Sequence, residues 1–147
     1  MGKILLTGAS GFIGGNLLSY IKETTPSSLK DIICLSSRAQ KGVETIIYKE
    51  DNHGFTFDLP SGIDAVIHLG AWTPKTGSRS QNWPQSNSNI LFLDRLLRQL
   101  HSEVKRFVFA STLDVYGNIG LSIDENTPIN PVSLYGWSKL YGEKMLE

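Results

Sequence analysis

The amino-acid sequence predicts an α/β fold in which helices cover both faces of a parallel sheet. Three observations lead to this prediction. Short apolar runs rich in β-branched residues alternate with segments of helical periodicity. A glycine-rich turn joins the first apolar run to the first helical segment. The 147 residues are enough for one domain with a hydrophobic core of its own.

Composition and charge exclude several classes of protein. The chain has 14 basic and 14 acidic residues, so its net charge gives no reason to expect nucleic acid as a partner. The apolar runs are too short for a membrane span or a signal peptide, so we expect a cytoplasmic protein with no membrane partner. The only cysteine, Cys34, lies in an apolar run and predicts a buried thiol in a reducing compartment. We expect no metal site.

Three elements are predicted in the first 35 residues. An apolar run at residues 3–6, closed by a Thr-Gly pair, is typical of a buried parallel strand. Apolar residues at helical spacing follow from Phe12, and this helix should end before Pro26. The apolar run at residues 31–35 predicts the second strand.

The rest of the chain continues the alternation. Residues 43–48 and 54–57 are predicted to be extended, with turn residues at 50–53 between them. Further strands are predicted at 65–69 and 105–110, and helices from Pro84 and from Ser133 to the end of the chain. The polar stretches 70–83 and 117–131 are predicted to be loops.

These strands predict a doubly wound sheet of order 3-2-1-4-5, in which the third strand lies at an edge. The connection back to the fourth strand must cross three strand spacings, roughly 14 Å. Residues 58–64 could stretch about 20 Å, which spans that distance but leaves no room for a helix. We therefore predict a short connection without a helix.

The string TGASGFIG at residues 7–14 stands at the junction of the first strand and the first helix. Gly8 can make the tight turn, Gly11 lets the backbone approach a pyrophosphate, and Gly14 lets the helix pack against the strand. The pyrophosphate would bind the unpaired N–H groups at the start of the helix. The spacing and its position predict a dinucleotide-binding (Rossmann) fold.

The end of the second strand bears on the choice of dinucleotide. An acidic side chain there would bind both ribose hydroxyls and repel a 2′-phosphate. This chain has Ser36, Ser37 and Arg38 instead, and hydroxyls with a guanidinium suit a phosphate better. The sequence favours NADP over NAD, and a solvated surface arginine remains the alternative interpretation of Arg38.

Tyr135 and Lys139 are four residues apart on the last predicted helix, so their side chains share one face. A free tyrosine has a pKa of about 10, and a nearby ammonium together with the nicotinamide charge should lower it. The phenol could then exchange a proton with a sugar hydroxyl during hydride transfer. By itself, the pair could equally be an amphipathic tyrosine above a surface lysine.

The motifs together resemble those of extended short-chain dehydrogenases/reductases, a family that includes nucleotide-sugar epimerases and dehydratases. The resemblance is carried by TGASGFIG, by ASTLDVYG at residues 110–117, and by PVSLYGWSK at residues 131–139. It covers nearly the whole chain. It implies a nicotinamide cofactor, a nucleotide-sugar or similar carbinol as substrate, and oxidoreductase or epimerase activity by hydride transfer.

The resemblance also implies roles for single residues. Thr112 would donate a hydrogen bond to the substrate oxygen, Tyr135 would act as acid/base, and Lys139 would hold the nicotinamide ribose; Ser111 is a weaker candidate than Thr112. The cofactor would be bound by these residues: Gly8, Gly11, Phe12, Ile13, Gly14, Arg38, Asp58, Leu59, Leu69, Gly70, Ala71, Asn89 and Lys139. In this family the backbone of the stretch at residues 68–71 lies along the cofactor. The His68 side chain is therefore interpreted as structural.

The sequence narrows the subfamily only in part. Dehydratases of the family carry Thr-Asp-Glu where this chain has Thr112, Leu113 and Asp114. A leucine cannot donate a proton, so dehydratase chemistry is doubtful, whereas epimerase and keto-reductase chemistry both remain open. A non-catalytic NAD(P)-binding sensor is the alternative function, and the joint presence of Thr112, Tyr135 and Lys139 favours the enzyme.

The family would continue beyond residue 147 with further strands and a substrate-binding region. We therefore expect residues 1–147 to be an NAD(P)-binding Rossmann domain truncated on its C-terminal side. Alone it should bind cofactor weakly or not at all and turn over no substrate. The fifth strand should expose a backbone edge, through which a homodimer could form.

Overall fold

The structure is a computed structural model that describes residues 2–74, 82–100, 104–117 and 122–147. Parts of the predicted loops at 70–83 and 117–131 lie outside the described residues. The chain divides into two compact units, which are described separately. The first comprises residues up to 71 together with 95–110, and the second comprises residues 72–94 and 111–147.

The elements alternate along the chain as the sequence predicts. In chain order they are β1 (Lys3–Thr7), α1 (Phe12–Thr24), a 3₁₀ helix (Pro26–Asp31), β2 (Ile32–Ser36), β3 (Glu44–Ile47), β4 (Lys49–Asp51), β5 (Gly54–Thr56), β6 (Ile63–His68), α2 (Trp83–Gln99), β7 (Arg106–Phe109), a second 3₁₀ helix (Leu113–Tyr116) and α3 (Leu134–Lys144).

The first unit contains a parallel sheet. Its strands follow the order β3-β2-β1-β6-β7, and every neighbouring pair is parallel. Counted as the strands of this sheet, the order is 3-2-1-4-5, so the predicted doubly wound fold is confirmed. β1 and β2 are central and apolar because a parallel strand covered on both faces meets no water; Leu5, Ile33 and Leu35 are fully buried.

The core on one face of the sheet lies under α1. Leu18 of this helix packs with Leu6 and Ile32, and partly buried side chains of the same helix cover the cluster. Cys34 belongs to this cluster, and burial raises the pKa of its thiol to about 11, although the Lys22 charge acts in the opposite direction. The predicted burial of this cysteine is confirmed, and its thiol is protonated at neutral pH.

The return from β3 to β6 contains no helix, as predicted. It differs from the prediction in one respect, because the extended segment at 54–57 does not join the sheet. It pairs antiparallel with β4 as a hairpin, in which Glu50 and Asp51 are strand rather than turn residues. An edge contact between the Tyr48 and Phe55 rings, whose centroids are 5.7 Å apart, and a 2.7 Å hydrogen bond from the His53 N–H to the Asp51 carboxylate stabilise this hairpin.

The segment after the hairpin is attached to the last turns of α2. The Arg95 guanidinium donates to the Phe57 carbonyl over 3.3 Å and lies 5.8 Å from the centre of the Phe57 ring. The Leu59 N–H donates to the Gln99 side chain over 3.0 Å. These contacts hold the short connection against α2.

The second unit is organised around α3. Ser133 caps this helix, because its hydroxyl accepts the Gly136 N–H at 2.9 Å. A methyl group at Gly136 would lie 2.7 Å from the Asp114 carbonyl oxygen, so glycine lets the second 3₁₀ helix lie against α3. That 3₁₀ helix was not predicted from the sequence. Within the described ranges, every helix is too short or too polar to cross a membrane.

The close approach of Gly14 to the turn before α1 gives the first testable prediction. A methyl group at Gly14 would overlap the Gly8 carbonyl oxygen, whereas one at Gly15 would lie 3.7 Å from the Ala9 carbonyl. We expect Gly14→Ala to lower the free energy of unfolding by about 2 kcal/mol. Gly15→Ala should raise it by up to about 1 kcal/mol, the helix propensity gain alone. Urea unfolding of both variants measures the difference, and an equal effect at the two positions would contradict the packing described.

Candidate functional site

The glycine turn has the geometry expected of it. Gly8 leaves β1 with a φ of +74°, a conformation that disfavours any residue with a side chain. A methyl group at Gly8 would lie 2.6 Å from both the Gly70 nitrogen and the Leu69 carbonyl carbon. The Gly11 N–H closes the turn by donating to the Gly8 carbonyl over 3.0 Å. The structure thus brings together the predicted cofactor residues Gly8, Gly11, Leu69 and Gly70.

Two hydrogen bonds of the Thr7 hydroxyl join the carboxyl ends of β1 and β6 beside this turn. The Thr7 hydroxyl lies 2.9 Å from Nδ1 of His68 and accepts the Gly70 N–H at 2.9 Å. The arrangement is satisfied by an imidazole that carries its proton on Nε2 and accepts at Nδ1. The His68 ring is buried and stacks on Phe109 at 5.6 Å, which supports the structural interpretation of this residue.

The start of α1 has the features of an anion site. Gly11 occupies the N-cap position, where it offers no side chain to the first N–H groups of the helix, and the first turn contains no acidic residue. Phe12 and Ile13 are 87% and 61% exposed, which is unusual for side chains so apolar. Unpaired N–H groups, the positive end of the helix dipole and a glycine cradle fit the pyrophosphate of a dinucleotide.

The residues after β2 are only partly available for binding a phosphate. The Ser36 hydroxyl is buried and accepts from the Arg38 N–H at 3.3 Å and from the Gln40 amide at 3.5 Å, so it stabilises its own turn. Ser37 and Arg38 are exposed. Asp58, which follows the hairpin, is also exposed. Cofactor binding by Arg38 and by Asp58 stays a prediction.

In the second unit, Thr112 and Tyr135 come together as the sequence predicts. Their side chains are hydrogen-bonded, and the Tyr135 ring is buried against Trp72 in an edge contact at 6.2 Å. The Thr112 hydroxyl also accepts the Asp114 N–H at 3.3 Å and thereby caps the second 3₁₀ helix. A hydroxyl held by its own backbone turn is oriented before any substrate binds.

The electrostatic state of Tyr135 differs from the expectation. Burial raises the pKa of its phenol above the usual value, the hydrogen bond from Thr112 lowers it, and the Asp114 carboxylate raises it. The pKa of Tyr135 is therefore raised in the chain without its cofactor, and the lowering expected from Lys139 together with the nicotinamide charge stays a prediction. Desolvation of the phenolate is the largest of these effects, and no periodicity in the sequence reveals that the ring is buried.

Lys139 is one turn beyond Tyr135 and only 3% exposed. Burial lowers the pKa of its ammonium to about 8, and the Glu143 carboxylate partly offsets this by raising it. The Glu143 carboxylate also accepts a hydrogen bond from the Ser111 hydroxyl. Ser111, the weaker candidate for the catalytic hydroxyl, is thus occupied with a carboxylate, whereas Thr112 is bonded to the phenol.

Asn89 has a role within the protein that the sequence did not predict. Its side chain accepts the Trp72 N–H at 2.7 Å and donates to the Trp72 carbonyl over 3.1 Å. It also donates to the Ser138 hydroxyl over 3.4 Å. Asn89 therefore places the indole that covers Tyr135, and its predicted contact with a cofactor stays a prediction. The position of Trp72, directly after the string HLGA, was the available signal.

The described residues contain no group of three or more histidine, cysteine or carboxylate side chains arranged to hold a metal ion. The polar groups described around Tyr135 and Lys139 are instead the hydroxyls of Ser111, Thr112 and Ser133 and the carboxylates of Asp114 and Glu143. Such a set can donate, accept and relay protons.

Comparisons with known proteins extend these observations. The model of the NAD dependent epimerase/dehydratase family matches residues 4–147. The chain is 34% identical to an uncharacterized UDP-glucose epimerase, YtcB, of Bacillus subtilis (strain 168), across 97% of this chain and 50% of that protein.

Solved structures agree with the sequence comparison. MoeE5 in complex with UDP-glucuronic acid and NAD is similar with a TM-score of 0.77 at 27% identity, across 98% of this chain and 48% of that one. UDP-glucuronic acid 4-epimerase from Bacillus cereus in complex with NAD is similar with a TM-score of 0.73 at 26% identity, across 98% and 51%.

The chain spans about half the length of the curated relatives it matches. The matched residues include both the glycine turn and the Tyr135–Lys139 helix. The resemblance to extended short-chain dehydrogenases/reductases is confirmed, and the chain belongs to the NAD-dependent epimerase/dehydratase family.

Proposed function

We propose that residues 1–147 form the NAD(P)-binding and acid/base part of an enzyme that epimerises a nucleotide-sugar. The observation that carries the proposal is the hydrogen bond between Thr112 and the buried Tyr135, with the buried Lys139 one helical turn away. A protein that only sensed the cofactor would need the glycine turn but not this cluster. The similarity to a UDP-glucose epimerase and to structures with bound UDP-sugars and NAD supports the choice of substrate class.

Each residue of the cluster has a defined task in this proposal. Tyr135 accepts the proton of a sugar hydroxyl as that carbon is oxidised, and returns it when the carbonyl is reduced on the other face. Thr112 donates to the same sugar oxygen and stabilises the charge that develops there. Lys139 holds the nicotinamide ribose and favours the phenolate by its charge. The bound nicotinamide supplies the hydride acceptor and a further positive charge.

The residue after Thr112 favours epimerisation over dehydration. Leu113 is 69% exposed and has no proton to exchange, and the Asp114 carboxylate accepts from the Ser133 hydroxyl at 3.4 Å. Elimination of water would need an acid and a base at these two positions in addition to Tyr135. Transient oxidation and reduction of one carbon needs only Tyr135 as the proton carrier.

We also propose that the protein accepts NADP as well as NAD. No acidic side chain stands at the end of β2, and the exposed Ser37 and Arg38 could bind a 2′-phosphate. The similar structures named above contain NAD. The preference therefore has to be measured.

Two further expectations from the sequence stay predictions. β7 forms an edge of the sheet in the described part of the chain, and Val108 on it is 56% exposed, which is compatible with a homodimer through that edge. The cytoplasmic location is the other.

The phenol of Tyr135 is tested by Tyr135→Phe in the full-length protein. The ring stays against Trp72 and only the proton carrier is lost, so we expect kcat to fall at least about 100-fold with unchanged folding. Turnover is measured with NAD and with NADP against a panel of nucleotide-sugars. Tyr141→Phe is the matched control, because Tyr141 is on the same helix and 56% exposed. Full activity of Tyr135→Phe would rule out the proposed acid/base.

The hydroxyl of Thr112 is tested by comparing Thr112→Val with Thr112→Ser. Valine keeps the shape and removes the donor, so kcat should fall about 100-fold. Serine keeps the hydroxyl and should stay within a few-fold of the wild type. Steady-state kinetics measure kcat for both variants. Equal kcat values would show that the shape of the side chain, and not its hydrogen bond, is important at this position.

The role of Arg38 is tested by cofactor binding without substrate. Arg38→Ala should weaken the binding of NADPH about tenfold, the loss of one charged hydrogen bond, and leave NADH binding within twofold. Arg106→Ala is the control, because Arg106 is also exposed but lies at the opposite, amino-terminal end of its strand. Fluorescence titration measures both dissociation constants. An unchanged NADPH dissociation constant would assign Arg38 to the solvated surface.

A further inference from the structure

We propose that Glu143, oriented by the Ser111 hydroxyl, is a positioning residue that keeps Lys139 protonated in its buried site. This inference rests on the proposed function, because it concerns the lysine of the same acid/base cluster. It assigns a task to two polar side chains that the proposed chemistry does not otherwise use.

The geometry places Glu143 where it can act on Lys139. The two residues are four apart on α3, so their side chains lie on one face of the helix. Lys139 is almost completely buried, whereas Glu143 is half-buried and lies closer to solvent. The lysine is N-terminal to the glutamate, and this orientation is the weaker one for an ion pair on an isolated helix. A second contact that orients the carboxylate is therefore important.

Ser111 supplies that contact from another element. It follows β7 by two residues and donates its hydroxyl to Glu143 Oε1. The next residue in the chain, Thr112, is the one that bonds to Tyr135. Two consecutive hydroxyls thus bind two different side chains of α3. Thr112 bonds to the Tyr135 phenol, and Ser111 bonds to the Glu143 carboxylate.

The two carboxylates near the cluster act on different groups. From α3, Tyr135 and Glu143 face Lys139, and from the second 3₁₀ helix the Asp114 carboxylate acts on Tyr135. Asp114 is itself held by the Ser133 hydroxyl at 3.4 Å. Of these carboxylates, Glu143 is the one whose charge acts on Lys139.

Desolvation explains why such a residue is needed. Burial alone lowers the pKa of Lys139, and with Glu143 opposing it the pKa is about 8. Without that carboxylate, the pKa would fall further, and the amine would lose its proton in the neutral range. A neutral amine could not favour the phenolate of Tyr135, and it would offer one fewer donor to a ribose hydroxyl.

The test is the titration of Lys139 in Glu143→Gln, measured by NMR on lysine labelled with ¹³C at Cε in the full-length protein without cofactor. The signal is assigned by its disappearance in Lys139→Arg. We expect the Lys139 titration to shift down by about one pH unit in Glu143→Gln. Ser111→Ala should shift it in the same direction by less. Glu143→Asp keeps the negative charge, so the Lys139 titration should shift down by less than in Glu143→Gln.

The control is Glu147→Gln. Glu147 pairs with Lys144 at 2.6 Å, and losing this exposed charge should leave the Lys139 titration unchanged. A shift of equal size in Glu147→Gln would mean that general charge near the end of α3 is responsible, and would overturn the proposal. If Glu143→Gln does not fold, Ser111→Ala decides, and an unshifted Lys139 titration in that variant would overturn the proposal too.

Activity gives a second readout. The upper limb of the pH dependence of kcat/KM should move to lower pH by the same amount in Glu143→Gln, with activity recovered below pH 7. A merely structural role would lower activity equally at all pH values. Failure of the proposed function is recognised separately, because the NMR titration requires no turnover, whereas Tyr135→Phe tests the reaction itself.

Discussion

The Thr7 hydroxyl forms the interaction on which the glycine turn of the first unit depends. It joins His68 Nδ1 and the Gly70 N–H, and so ties the carboxyl ends of the two central strands to each other. The backbone of Gly8 can then touch Leu69 and Gly70 without any intervening side chain. The Thr7 and His68 side chains are buried, where an unsatisfied donor or acceptor is expensive, so both are held to one arrangement.

Burial is also important in the second unit, where it shifts the pKa values of two side chains. The Tyr135 phenol and the Lys139 ammonium are both desolvated, and desolvation disfavours the charged form of each. The two pKa values therefore move apart, the phenol upward from 10.0 and the ammonium downward from 10.5 to about 8. Neighbouring side chains adjust this balance: Thr112 favours the phenolate, and Glu143 favours the ammonium.

The sequence predicted those features that depend on local pattern. The junction of β1, the glycine turn and α1 follows from apolar periodicity and glycine spacing, and the position of Tyr135 and Lys139 on one helix face follows from their separation. The missing crossover helix before β6 follows from chain length alone. In contrast, the β4–β5 hairpin, across which the Tyr48 and Phe55 rings are in contact, was not predicted from the turn-like composition of the residues between them.

Features that arise from long-range contacts were missed. Burial raises the pKa of Tyr135, and its ring contacts Trp72, which lies far away in the sequence. The amide of Asn89 was assigned to a cofactor, although the structure also bonds it to the Trp72 backbone. Ser111 and Glu143 are 32 positions apart, and no motif joins them.

The buried ammonium of Lys139 has a thermodynamic consequence for the whole chain. An unfolded chain keeps this proton up to the usual pKa of 10.5, whereas the folded chain releases it near 8. Between these values the unfolded state binds more protons, so raising the pH through 8 stabilises the fold. Cys34 works the other way, since its thiol ionises near 9 when unfolded but only near 11 when folded. These two groups together favour the folded state most in mildly alkaline solution, where Lys139 begins to lose its charge.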